Sequence, residues 1–351
     1  MYANFLLVFR ARTSRIIIWF PLQPCHILLM SPVLNATPTL PADMNSSTLP
    51  SAAADPALYA NRYHTLMAGV TVLLVLPTLA VILRLLSRWI AGAGLWFDDY
   101  AVILAWLFAL GPSIALIVAI HIGFGEHIEI LPASTIFAVF KVLYAFSLTF
   151  IMAMITVKFS VILFLYRIFP IVHFRRILVG AAIFVVCLGV SLFPVSIWTC
   201  TPIHDFWTTL GGGVKSRSGG RCVNTQLFYL VSGAINTVTD FALLALPIPL
   251  LWRLRTGKLQ KSILTVIFTV GLTVCAVSIN RLIILSRFQH AKLSQLGRLD
   301  ITWNYVAPAT WTAAEPAVAV ISACLPSLRP LFVRNHLGPS LPANPDVSAE
   351  Q

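Results

Sequence analysis

Three charged side chains lie inside long apolar runs of this chain: Lys158 in KFSVILFLYRIFP (158–170), Asp240 in NTVTDFALLAL (236–246) and Glu315 in WTAAEPAVAV (311–320). A charge at such a position costs from about 3 kcal/mol upward at a bilayer centre unless it is paired or reaches water. One cation and two anions could form an ion-paired cluster, pass protons, or hold a polar ligand. Asn236 lies one helical turn before Asp240 and could hydrogen-bond into the same cluster.

A second group, His121, Glu126 and His127, has the residue types of metal ligands. Three such groups in a short loop lack the fixed spacing of a metal site, and the six cysteines show no metal-ligand spacing either. The sequence therefore predicts no metal, no cofactor, no catalytic residue and no enzymatic activity.

The elements that must position these charges follow from composition. Of 351 residues, 58% are hydrophobic and 10% charged, with mean hydropathy +0.87, whereas soluble domains carry about 25% charged residues. Seven apolar segments are long enough to cross a bilayer as helices: Thr65 to Leu86, Tyr100 to Ile122, Val142 to Tyr166, Ile177 to Trp198, Gln226 to Trp252, Ile263 to Leu285 and Trp303 to Leu325. None alternates apolar and polar residues as a barrel strand does. The predicted fold is an all-α, seven-transmembrane helical bundle over 61–332, preceded by a disordered tail (1–60) and followed by a short tail (333–351).

At a rise of about 1.5 Å per residue, Lys158, Asp240 and Glu315 lie roughly 24, 21 and 18 Å from the outer ends of their spans. Comparable depth favours a shared cluster facing the bundle interior. The alternative is that Lys158 snorkels towards the nearer headgroups, and spacing leaves open which acid is its partner. Arg281 reads as an interfacial arginine close to the end of the sixth span, the alternative being a ligand contact. Asp98 and Asp99 suit a helix N-terminus, with Arg84 or Arg88 as partners. Pro247, Pro249 and Pro316 should distort their helices.

The net charge of +12 would suggest nucleic acid in a soluble protein, but here it reports topology, and no nucleic-acid partner is expected. Eleven Lys and Arg fall near span ends on one side, in dense clusters such as Arg175-Arg176 and Arg253 to Lys261, against eight on the other. This predicts an N-terminus outside and a C-terminus inside. Sequons at Asn35 and Asn45 agree with an exterior tail. The early run after Arg15 faintly resembles a signal sequence, and Met30 or Met44 are alternative starts. Cys200 and Cys222 flank a glycine-rich loop on the oxidising side and could form a disulfide, the alternative being two free thiols.

Several segments in order and spacing carry a resemblance: GFGEH (123–127), KFSVILFLYRIFP (158–170), CTPIHDFW (200–207) with Cys222, the run from Asn236 to Leu254, and Trp311 to Phe332. Together with Asp98-Asp99 they resemble the fungal rhodopsin-domain integral membrane proteins, a family that includes receptor-like proteins. Only Cys25 precedes the bundle, so the chain resembles the form without the eight-cysteine extracellular module that some relatives carry. The resemblance does not imply retinal. Retinal proteins hold the chromophore on a lysine of the seventh span, and Trp303 to Leu325 contains none.

The resemblance implies a plasma-membrane protein, embedded in lipid, that senses an extracellular small molecule or surface cue and contacts a cytoplasmic signalling partner. Against the animal receptor pattern, the third span ends Tyr166-Arg167-Ile168 with no acid before the arginine. The alternative is a transporter, or an accessory membrane protein of a secondary-metabolite pathway. No internal repeat of the kind many transporters show is present.

Overall fold

The computed structural model describes residues 8–11, 14–17, 63–92, 94, 96–207, 221–248, 258–294 and 300–328. Within the N-terminal unit Met1–Ala53, β1 (Val8–Ala11) pairs antiparallel with β2 (Ser14–Ile17), Val8 opposite Ile17. The rest of the expected tail, with Asn35 and Asn45, lies outside the described residues. So do the glycine-rich 208–220 and the expected tail 333–351.

Among the described residues, the second unit contains seven helices long and apolar enough to cross a membrane. They are α1 (Tyr63–Ile90), α2 (Phe97–Ile122), α3 (Ala133–Ile168), α4 (Val172–Ile197), α5 (Thr225–Ala245), α6 (Lys258–Ser294) and α7 (Val306–Cys324), the last preceded by the turn Ile301–Asn304. Large apolar side chains face outward along them, among them Val72, Leu79, Ile183 and Val190. Lipid tails are as apolar as these groups, so packing between helices must come from small residues and polar contacts. Ala309, Ala313 and Ala317 of α7 are 0–1% exposed, and they let α7 sit close against α1, α2 and α3.

Helix ends differ from the sequence expectation for a physical reason. Apolar runs mark the part of a helix within hydrocarbon, whereas α3 and α6 at 36 and 37 residues reach about 55 Å, well beyond the roughly 30 Å core. Thus α3 begins at Ala133 rather than Val142, and α6 continues to Ser294 rather than Leu285. In contrast, α5 stops at Ala245, just before Pro247 and Pro249, which cannot donate to a continuing helix.

The bundle is tied at both ends. At one end, Arg84 of α1 donates to Asp99 (2.9 Å) and Asp98 (2.7 Å) at the start of α2 and to the Ala323 carbonyl of α7 (2.7 Å). Arg167 of α3 reaches Asp98 at 2.9 Å and stacks on Trp96. The acid missing beside Arg167 in sequence is thus supplied by the start of α2.

At the other end, His127 Nδ1 lies 2.6 Å from Asp300 Oδ2, and its ring stacks on Trp303. Gly123 and Gly125, with φ of 126° and 101°, make the turn that brings His127 there. Nearby, β3 (Cys200–Thr201) pairs with β4 (Arg221–Cys222), and a disulfide joins Cys200 to Cys222. Trp207 then meets Tyr144 and Lys141 of α3.

Candidate functional site

Four charges are buried midway along α3, α5, α6 and α7: Lys158, Asp240, Arg281 and Glu315, between 0 and 8% exposed. The helix period sets each contribution. On α5, Asn236, Thr239 and Asp240 share one face at spacings of three and four; on α6, Ser278 and Arg281 do so, and on α7, Thr312 and Glu315. The polar stripes of α5, α6 and α7 face one another, and that of α5 also meets Lys158.

Lys158 Nζ lies 3.0 Å from Asp240 Oδ1, and donates to the Asn236 carbonyl at 2.8 Å and to Thr239 Oγ1. An ammonium has three hydrogens, and here each has an acceptor. The side chain crosses to α5 instead of running along its own helix towards headgroups. Asp240, rather than Glu315, is its direct partner.

Glu315 is fully buried and belongs to a second pair. Arg281 Nη1 donates to Glu315 Oε2 at 2.7 Å, its Nε reaches Thr312 Oγ1 at 3.2 Å, and its guanidinium covers the Phe150 ring at 4.3 Å. The expectation of an interfacial Arg281 is corrected. Because α6 runs thirteen residues past it to Ser294, Arg281 is well inside the bundle and only 6% exposed.

Two neutral groups join the pairs. Asn236 Nδ2 donates to Glu315 Oε1 at 2.7 Å and lies 3.5 Å from Asp240 Oδ2. Ser278 Oγ is 2.8 Å from Asp240 Oδ2 and 2.6 Å from Glu315 Oε1. A hydroxyl has one hydrogen, so Ser278 can donate to only one acid at a time. With all four groups ionised the quartet sums to zero charge, the arrangement that makes burial tolerable.

The structure thus brings together Lys158, Asp240, Glu315 and Asn236, and adds Arg281, Ser278, Thr239 and Thr312. The signal for the additions was present: each lies three or four residues from another polar group inside an apolar span. His121, Glu126 and His127 do not converge. His121 Nδ1 meets the Tyr63 hydroxyl at 3.2 Å while His127 is engaged with Asp300, and no metal-ligand cluster occurs among the described residues.

Open space adjoins the quartet. A cavity of about 100 Å³ lies between α3, α5, α6 and α7, with Lys158 and Asp240 on its wall. A second, about 60 Å³, lies between α3, α4 and α5, and its wall includes Lys158 and Arg281.

Comparison with known proteins places this geometry. The fungal rhodopsin domain matches residues 83–334. The chain is 28% identical over 248 residues to an SAT4 family membrane protein of Emericella nidulans, covering 69% of this chain and 56% of that protein. It is 26% identical over 273 residues to the polyenoic acids biosynthesis gene cluster protein Ba17b of Metarhizium anisopliae, covering 73% and 70%. Over 193 residues it is 26% identical to Receptor GIN3 of Arthrobotrys oligospora, covering 55% and 42%. No solved structure matches the chain. With the match spanning the bundle from within α1 to beyond α7, the chain is an integral membrane protein that belongs to the fungal rhodopsin domain family.

Proposed function

We propose that this protein is a receptor-like sensor of an extracellular small molecule, placed in the plasma membrane with its N-terminal end outside. The observation that carries the reading is the buried quartet Lys158, Asp240, Arg281 and Glu315, which joins four helices beside unfilled space. Apolar residues of equal volume would pack such a core at least as stably, so a buried ionic cluster argues for a role in specificity or switching rather than in stability. A ligand that alters how Lys158 or Arg281 is shared would shift α5 and α6 relative to α3. Their movement would be read by a cytoplasmic partner at the basic segment Arg253 to Lys261. The likeness to a protein named as a receptor supports this reading.

The test is binding and uptake measured side by side on a panel of small molecules, with wild type and Lys158→Ala. Saturable binding without accumulation, weakened in the variant, supports a sensor. Concentrative uptake overturns it.

A second reading, an accessory membrane protein of a secondary-metabolite pathway, is favoured by the likeness to a gene-cluster protein. Deletion that abolishes one metabolite while leaving responses to external compounds unchanged would select it.

A further inference from the structure

The geometry points to the smaller cavity, between α3, α4 and α5, as a site for the carboxylate of a single-chain amphipathic acid, with its chain against the α3–α4 wall. This deepens the sensor reading and rests on it for biological meaning, though binding itself does not.

The cavity meets both cations of the quartet and neither anion. Lys158 and Arg281 are on its wall, while Asp240 and Glu315 are not. Arg281 supplies the available donors. Its Nε is used by Thr312 and its Nη1 by Glu315, whereas Nη2 has no hydrogen-bond partner among the described residues. A guanidinium has five N–H donors, so Nη2 keeps donors to offer a guest. Ser232, on the same wall, makes only a long 3.3 Å bond to the Tyr229 carbonyl and can turn towards a guest.

Besides Asn236 and Thr239, the remaining wall is apolar, including Ile155 of α3 and Val185, Leu188 and Leu192 of α4.

The dimensions select the ligand class. A water needs about 10–15 Å³ of such space, so about 60 Å³ holds a carboxylate and a few methylenes but not a phosphodiester with its substituents. The half-buried Leu188 and Leu192 leave the chain a path along α4 towards lipid. A carboxylate accepting from a guanidinium makes the stronger, charge-assisted kind of hydrogen bond, and a neutral head does not.

The experiment measures binding of labelled oleate to purified full-length protein in neutral-lipid nanodiscs, with methyl oleate and phosphatidate as competitors. Leu192→Trp fills this cavity from α4 without touching the quartet, and Val161→Phe fills the larger cavity instead. Arg281→Gln with Glu315→Gln removes the donor while leaving no unpaired charge. The expected result is saturable oleate binding, poor competition by methyl oleate and phosphatidate, and affinity lost about tenfold or more in Leu192→Trp and in the Arg281/Glu315 double variant. Val161→Phe should bind normally. No saturable binding, equal competition by the methyl ester, preference for phosphatidate, or loss confined to Val161→Phe would each overturn the assignment. Binding with no cellular response would sustain the site and overturn the sensor reading.

Discussion

The Arg281 guanidinium donates to Glu315 at 2.7 Å, and through Glu315 it is connected to Asn236 and Ser278, both of which also approach Asp240, the partner of Lys158. Two ion pairs on four helices are therefore one hydrogen-bonded unit. Its members compensate one another in a medium that would not tolerate them singly.

The first consequence concerns pairing. Arg281→Met leaves Glu315 buried without its counter-charge, and breaking one side of a buried pair costs about 3–5 kcal/mol. Arg281→Met with Glu315→Gln removes both charges and should recover most of that loss. Thermal unfolding of purified protein in one detergent checks both, and equal loss in single and double variants would contradict the pairing.

The opposite end offers a second case. Arg84 is 1% exposed and uses three nitrogens on three acceptors. Lysine has no planar fork to match, so Arg84→Lys should fail to restore the thermal midpoint lost in Arg84→Gln. Rescue by lysine would show that charge alone matters there.

Legibility in the sequence divided along physical lines. The seven spans were readable because about 20 apolar residues in a row have few other uses in a folded protein. Lys158, Asp240 and Glu315 were readable because a charge in such a run is costly. The assignment of partners was not, since it depends on which helix faces which, and span order does not encode rotation. Arg281 shows the limit: the apolar run ends at Leu285 and implies an interfacial position, yet the helix carries on in mixed polar sequence to Ser294. The partner of Arg167 is hidden for the same reason, since Asp98 is 69 residues away.

The loop disulfide gives a chemical prediction. Cys200 and Cys222 are linked, whereas Cys187 is a free thiol on the exposed face of α4. Maleimide labelling of unreduced, denatured protein followed by peptide mapping should modify Cys187 and spare Cys200 and Cys222 until a reductant is added. Modification of either before reduction would rule the bond out.

Orientation is open to direct reading as well. Glycan addition at Asn35 or Asn45, or an N-terminal tag accessible on intact cells, is expected from the charge bias of the loops. A tag reached only after permeabilisation would reverse the proposed topology.

The most direct test of the account is a double-mutant cycle between Lys158→Met and Glu315→Gln, which belong to different ion pairs joined through Asp240, Asn236 and Ser278. If the quartet is one unit, their effects on unfolding free energy depart from additivity by about 0.5 kcal/mol or more; additivity within about 0.3 kcal/mol would mean two independent pairs and would contradict it.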